Sequence, residues 1–437
     1  MMILKEDIAQ PSQCLRFWIF FILRTQHKPL LLIRNLVYLP YMELYKPPSS
    51  SQYSGCRMSI LKIMDTKLDI IGDIHGEITA LNDLLNHLGY DEHGHHPEDR
   101  KLIFVGDLVD RGEDSWAVYK KVRHLIDSNN AYCILGNHEL NLLIPDPKFT
   151  DGRPKVKPGN EWFHGRVEFV DKNDPTSIQP QYLLHTREEQ TELQEFLRPL
   201  PLVIEAPGIR IVHSCWDKDA INTIRGTSLP AQQMAKHYEQ RCQDQIREHI
   251  QLYLNENPES NPHSLPLHTW FKNLDRSHPL RISAELMEQN NNPIKVITSG
   301  LERELDAEQP PYEAGKKMRY VQRDRWWERY TDDEIVICGH YWRTASHPDG
   351  TIDTTPEDKK QIPPTFLDHE GSFDWLGPKK NVMCIDYSVG KRFVERHKNL
   401  QRGKSGSYLA ALRYTKTNIG FSATLLLDDG RIQSIQH

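Results

Sequence analysis

No two cysteines in this sequence stand at the C-x-x-C spacing of a thiolate metal site or a dithiol redox motif. The seven present, from Cys14 to Cys384, are odd in number. They indicate neither a disulfide framework nor a Cys-based zinc site, and a reducing cytoplasmic compartment is expected. Long apolar runs are also missing. Phe17 to Leu23, between Arg16 and Arg24, and Leu30 to Ile33 fall well short of the roughly 20 residues that span a bilayer, so no membrane span is expected. Nor is there an excess of positive charge. The 54 Lys/Arg against 60 Asp/Glu leave a net charge of −6, which removes the general electrostatic ground for a stable nucleic-acid partner. Internal repeats are absent too. What remains is a 437-residue chain with 38% hydrophobic residues, enough to bury a large core.

Residues 1–65 read as an N-terminal appendage and linker, with Pro47-Pro48-Ser49-Ser50-Ser51 as the linker signal. From residue 66 to 437 a single domain is expected. Its start is rhythmic. Leu68 to Ile71 is a short apolar strand. Ile78, Leu81, Leu84, Leu85 and Leu88 recur at helical spacing. Leu102 to Val105 is a second strand, Ser115 to Ile126 a second helix, and Tyr132 to Leu135 a third strand. Such βαβαβ alternation predicts a largely parallel sheet, with functional loops at the strands' C-terminal ends. Further strands are expected at 202–204, 209–212, 335–338, 382–385, 408–414 and 423–427. Residues 217–293 turn polar and helical, with Met234 to Leu254 as one amphipathic helix, and read as an inserted helical subdomain.

Three predicted strand ends carry the same kind of chemistry. The loops are Gly72-Asp73-Ile74-His75-Gly76, Gly106-Asp107-Leu108-Val109-Asp110-Arg111-Gly112 and Gly136-Asn137-His138-Glu139; His213 and His340 end two later strands. Carboxylates, imidazoles and an amide oxygen are O/N ligands suited to Mn²⁺, Fe or Zn²⁺. Asp73 and His75, two residues apart, turn into one crevice, while Asp107 has two oxygens with which to bridge two cations. Asn137, His213 and His340 complete a second ion's shell. Two divalent cations about 3.5–4 Å apart clamp a phosphate and acidify a water. A lone Gly-Asp is usually a turn and a lone His a satisfied polar group, but three such loops in order, each after a strand, are improbable by chance.

These motifs resemble those of the calcineurin-like metallophosphoesterase superfamily, in the phosphoprotein phosphatase-like bacterial branch with its GDxHG, GDxxDRG and GNHE signatures. That branch holds small protein phosphatases, dinucleoside tetraphosphatases and a polynucleotide end-repair phosphatase module. The likeness runs from Leu68 to Glu139, with further matches at His213, His340 and Ile385-Asp386; His96 to Lys101 is also typical of the branch. It implies a layered sandwich of two mixed β-sheets flanked by helices (α/β), two divalent metals, chiefly Mn²⁺, and attack by a hydroxide bridging them. Asp73, His75 and Asp107 would hold the first metal, and Asp107, Asn137, His213 and His340 the second. His138 would be the general acid, Asp110 its hydrogen-bonding partner, and Arg111 a phosphate clamp. A second phosphate arginine is expected between the last two histidines, with Arg225 as first choice beside Arg303, Arg319, Arg323 and Arg325. Ser214-Cys215-Trp216 departs from the Gly-Gly that commonly follows this histidine in protein phosphatases.

The function expected first is hydrolysis of phosphomonoesters, from a phosphoprotein or small phosphometabolite. Hydrolysis of dinucleoside polyphosphates such as diadenosine tetraphosphate is the alternative within the class, and a non-catalytic metal-binding scaffold the alternative outside it. His93, His95 and His96 read as a solvated loop rather than a further metal site. Trp326-Trp327 reads as one packed and one exposed ring, and Lys391 to Lys404 as a basic rim or a plain loop.

Overall fold

Leu68, Asp69, Ile70 and Ile71 are all buried, the near-continuous pattern of a strand covered on both faces. The computed structural model describes residues 59–144, 160–165, 184, 186–260, 265–314, 317–346, 373–397 and 406–435. The strands are β1 Ile60–Lys62, β2 Lys67–Ile71, β3 Lys101–Phe104, β4 Ala131–Cys133, β5 Val203–Ala206, β6 Ile209–Val212, β7 Glu302–Glu304, β8 Tyr312–Ala314, β9 Lys317–Arg319, β10 Val321–Arg323, β11 Ile335–Cys338, β12 Val382–Cys384, β13 Asp386–Tyr387, β14 Tyr408–Thr417, β15 Gly420–Leu427 and β16 Ile432–Ser434. Helices are α1 Ile78–Leu88, α2 Ser115–Asp127, α3 Asn137–Leu143, α4 Arg187–Leu197, α5 Lys218–Ile224, α6 Ala231–Glu256, α7 Leu267–Asn273, α8 Pro279–Asn290 and α9 Pro293–Ser299.

Two mixed sheets form the frame. One runs β1-β5-β6-β11-β12, and the other β16-β15-β14-β2-β3-β4 with β13 on β14. Within the second, β2, β3 and β4 are parallel and in register, Ile70 opposite Ile103 and Ile103 opposite Tyr132. In the first, β6, β11 and β12 are parallel. A single apolar cluster joins the sheets: Leu68, Ile70, Ile103 and Val105 from one meet Ile204, Ile211, Ile337 and Met383 from the other. Outside the sandwich, α1 buries Ala80, Leu81, Leu84, Leu85 and Leu88 and stops at Gly89 in the left-handed region (φ 88°), the usual helix C-cap geometry. Asp114 caps α2 by accepting from Ala117 N at 2.9 Å, a bond worth about 1 kcal/mol.

The predicted two-sheet α/β sandwich is the observed fold. The domain boundary shifts, however. Ile60–Lys62 pairs in parallel with β5, and Ile60 opposes Val203. Residues 60–65 therefore belong to the sandwich, not to the appendage expected up to residue 65; three residues are too few to show an alternating pattern in sequence. The apolar runs at 17–23 and 30–33 and the Pro-Ser linker lie outside the described residues. Among the described residues, no helix is long and apolar enough to cross a membrane. The 217–293 stretch contains α5 to α8 and the start of α9, with α6 packed on α8 through Ile246, Ile250, Leu254, Leu280 and Ala284. Both Trp326 and Trp327 are buried, so the expected exposed ring of that pair is not there.

Candidate metal centre

Loops following β2, β3, β6, β11 and β12 and the N-terminus of α3 all open at one end of the sandwich, where parallel strands deliver their C-terminal ends together. One side-chain contact crosses between the sheets there: His213 Nδ1, at the end of β6, lies 2.8 Å from Val105 O, at the end of β3. Within the first sheet, Gly339 N donates to His213 O and Ile385 N to Cys338 O, each at 2.8 Å. The packing leaves no room for a side chain at Gly339, where a Cβ would stand 2.0 Å from Asp73 Oδ1. Five of the residues meeting here hold positive φ without being glycine: His75 at 48°, Asp107 at 49°, Asp110 at 73°, Arg111 at 72° and His340 at 68°. Such backbone costs of order 1–3 kcal/mol each and persists where the surroundings over-determine it, typically at functional sites.

All six expected metal ligands come together. Asp107 is central: His213 Nε2 lies 3.3 Å from its Oδ1, and His75 Nε2 and His138 Nε2 lie 3.7 and 3.8 Å from its Oδ2. Asn137 Oδ1 is 3.2 Å from His213 Nε2 and 2.9 Å from His340 Nδ1. Asp73 accepts from His340 N with both oxygens, at 3.2 and 3.1 Å, and lies 4.0 Å from His75 Nε2. The donor atoms fall into two groups that share Asp107, namely His75-Asp107-His138 and Asp107-His213-His340.

This donor set fits a cation. His75 and His213 each direct Nδ1 to a backbone carbonyl, Val109 O at 3.1 Å and Val105 O at 2.8 Å. That fixes the proton on Nδ1 and aims the Nε2 lone pair inward, the orientation that metal-ligating histidines take. At His213 the inward nitrogen meets only oxygen lone pairs, from Asn137 and Asp107, so a proton or a metal ion must stand among them. Burial, then the charges of Asp386 and Asp107, pushes the Asp73 carboxyl well above its usual range. Burial alone would raise Asp107 too, but His213, His138 and His75 hold it well below. Burial and the charges of Arg111 and His138 push His75 far down, and burial with Arg323 and His213 does the same to His340, leaving both as neutral ligands.

The other expected residues divide. His138 Nδ1 meets Asp110 Oδ2 at 2.6 Å, and although burial lowers the imidazole pKa, Asp107 and Asp110 raise it above the ordinary value. Arg111 reaches His75 Nε2 at 2.9 Å and His138 Nε2 at 3.4 Å, placing its guanidinium against both. Arg225 is not at the site. It forks onto Glu205 at 2.7 and 3.4 Å, toward the turn of the β5–β6 hairpin and away from His213, because a carboxylate on that hairpin offers it a bidentate partner. Of the other candidates, Arg303 is taken by Asp306, Arg319 by Glu285 and Glu302, and Arg325 lies 3.5 Å from Glu328. Arg323 forms an ion pair with Glu302 at 2.9 Å, and its charge still reaches His340.

Several supporting residues were not singled out from sequence. Glu139 accepts from Asp107 N, Leu108 N, Val109 N and Gly136 N at 2.8, 2.8, 3.3 and 3.0 Å, shaping the Asp107 loop from beneath. Asn160 and Trp162 donate to Asp110 at 2.8 and 2.5 Å, and nothing in the sequence near them hinted at it. Asp386 is buried with Oδ2 lacking a hydrogen-bond partner, and burial pushes its carboxyl up to about 6. Its signal was present, since it follows a strand as Asp73 and Asp107 do. Cys215, beside His213, is buried and its thiol pushed well up, the opposite of an activated nucleophile.

A model of the calcineurin-like phosphoesterase family matches residues 66–343. Over 147 residues the chain is 48% identical to a bis(5'-nucleosyl)-tetraphosphatase PrpE (asymmetrical) of Oceanobacillus iheyensis, covering 33% of this chain and 56% of that protein. A protein of the same description from Halalkalibacterium halodurans is 35% identical over 148 residues, covering 33% and 58%. A symmetrical bis(5'-nucleosyl)-tetraphosphatase of Marinomonas sp. is 41% identical over 91 residues, covering 21% and 29%. The chain thus spans little more than half the length of the first two relatives. Among solved structures, a cold-active protein-tyrosine phosphatase of Shewanella sp. aligns over 90% of this chain and 87% of its own at 15% identity, with a TM-score of 0.40.

Proposed function

The chain belongs to the calcineurin-like phosphoesterase family, and from that premise we propose that it hydrolyses dinucleoside polyphosphates, with diadenosine tetraphosphate as the type substrate. The observation that carries this choice is the 48% identity to a bis(5'-nucleosyl)-tetraphosphatase. It supports the dinucleotide over the phosphomonoester that stood first on motifs alone. The departure at Ser214-Cys215-Trp216 from the protein-phosphatase pattern points the same way.

In this reading two divalent cations, Mn²⁺ before Fe or Zn²⁺, would be held by Asp73, His75, Asp107, Asn137, His213 and His340, with Asp386 at the rim of the set. Support for a pair comes from Asp107, whose Oδ1 lies 3.3 Å from His213 Nε2 and whose Oδ2 lies 3.7 Å from His75 Nε2. Bound there, they would supply Lewis acidity toward phosphate oxygens and lower the pKa of water. The protein's own groups do the rest. Arg111 grips the phosphate oxygens with its planar fork, and Arg323 adds positive charge from the His340 side. His138 Nε2 faces the pocket and delivers a proton to the leaving oxygen, while Asp110 holds the imidazole charged and oriented. Free buried thiols at Cys133, Cys215, Cys242, Cys338 and Cys384 accord with a cytoplasmic setting.

The test is turnover of diadenosine tetraphosphate, p-nitrophenyl phosphate and a phosphopeptide with Mn²⁺, products separated by chromatography. A kcat/KM for the dinucleotide well above the other two is expected; turnover of the phosphopeptide or p-nitrophenyl phosphate alone restores the monoester reading. A scaffold would need no intact donor set, and fewer than about one ion bound per chain by elemental analysis would favour it.

A further inference from the structure

Two residues beyond His340, Trp342 is 38% exposed, and no other Phe, Tyr or Trp among the described residues is exposed to that degree. An indole left in water forgoes a large burial gain, so its position matters. The Arg111 guanidinium lies 4.2 Å from the ring centroid and Lys391 Nζ 5.8 Å from it. Through its other nitrogens the same guanidinium touches His75 and His138. The ring therefore stands one guanidinium away from the pocket that takes the phosphate, with a second cation beside it. An anion chain entering between Arg111 and Lys391 carries whatever is attached to it onto the indole.

Resting on the phosphoesterase reading above, we propose that Trp342 is the seat of the substrate's nucleobase. The base lies against the exposed indole, Arg111 takes the phosphate beside the metal ligands, and Lys391 pairs with the next phosphate along. Stacking suits this position because every base has a π-face and the contact needs no donor–acceptor match. A cation already lying on part of the ring adds to the attraction, as Arg does at other base-stacking sites. The dinucleotide is then distinguished from a plain phosphate ester by its base rather than by the metal centre.

Calorimetric titration of the full chain in buffer with fixed Mn²⁺ tests this by binding, with release of inorganic phosphate from each probe followed alongside. The probes are AMP and ribose 5-phosphate, which differ by the base alone, on the wild type, Trp342→Ala and Trp342→Phe. AMP is expected to bind the wild type at least about tenfold more tightly than ribose 5-phosphate. Trp342→Ala should erase that preference by weakening AMP alone, and Trp342→Phe should keep most of it. Equal weakening of both probes would mean that Trp342 serves only to hold Arg111 flat, and the proposal falls. An unchanged preference in Trp342→Ala overturns it as well. A chain that shows the preference yet leaves diadenosine tetraphosphate intact keeps the base seat and loses the proposed reaction.

Discussion

Replacing Asp110 with Asn isolates the proton-delivery role assigned to His138. Trp162 Nε1 donates to Asp110 Oδ1 at 2.5 Å, while Asn160 and His138 both address Oδ2. An amide in this position must keep its carbonyl toward Trp162, and its NH2 then faces His138 Nδ1. The imidazole is forced to accept there, so its one proton moves to Nε2 and the ring is neutral, a far weaker acid. The lost charge-assisted bond is worth about 1.5–3 kcal/mol, or about one to two pKa units. His138 is raised in the wild type, so its acid form persists above the ordinary imidazole range and fails as pH rises through the raised value. In Asp110→Asn the basic limb of the kcat profile should move down by about one to two units, and kcat above that limb should fall by about 10–10². Metal content by elemental analysis should hold. The loss should be largest for an alkyl phosphate, whose alkoxide needs a proton. It should be smaller for p-nitrophenyl phosphate or an anhydride, whose leaving phosphate has a second pKa of about 6. Equal losses on all three substrates would refute the assignment, as would an unshifted basic limb.

Other outcomes follow from the same geometry. His138→Ala should depress kcat sharply with bound metal near normal, whereas Asp107→Ala, removing the carboxylate shared by both donor groups, should lose metal and activity together; elemental analysis beside kinetics separates them. Arg225→Ala should leave kcat/KM unchanged, because its partner is Glu205, and should cost at most about 1 kcal/mol in a denaturant titration, since the pair is partly exposed. In protein stripped with a chelator, the raised Asp73 carboxyl and Asp386 at about 6 keep protons that the unfolded chain has released. Their contribution to stability should therefore fall as pH rises from about 4 through 6, against the opposite contribution of His75 and His340, which are neutral in the fold and charged in the unfolded chain over that range. Added Mn²⁺ should then raise Tm more at pH 7 than at pH 5, which a thermal scan at both values checks.

Most of the candidate metal centre was legible because its donor residues are written in short loops after strong strands. Leu68–Ile71 and Leu102–Val105 are apolar enough to be recognised as strands, and the Asp, His and Asn that follow them need only local turns to face one crevice. Arg225 shows where that logic ends. A guanidinium on a long stem goes to whichever carboxylate the fold brings near, and Glu205, 20 positions away, is not coded by spacing. Trp342 and Trp326-Trp327 show the same limit. Which ring is wetted depends on what packs over it, so the adjacent pair is buried and the lone ring beside Arg111 is not. Asn160 and Trp162 reach Asp110 across 50 residues with no motif to announce them, and three-residue β1 gains its strand character from β5 alone.

The centre also bears on whether a non-catalytic scaffold would keep it. Asp73, Asp107 and Asp386 are at most 2% exposed, at a site where Arg111, His138 and His213 supply the neighbouring positive charge. Burying charge without full compensation costs several kcal/mol per ion, and five residues hold positive φ besides. A chain selected only to fold would gain stability by replacing these carboxylates with apolar side chains. Their presence together in one pocket is stable where a cation neutralises them, and a cation held there would tie loops from both sheets together. Stability and chemistry are thereby linked. The residues that weaken the metal-free sandwich are those that would hold it closed around a substrate phosphate.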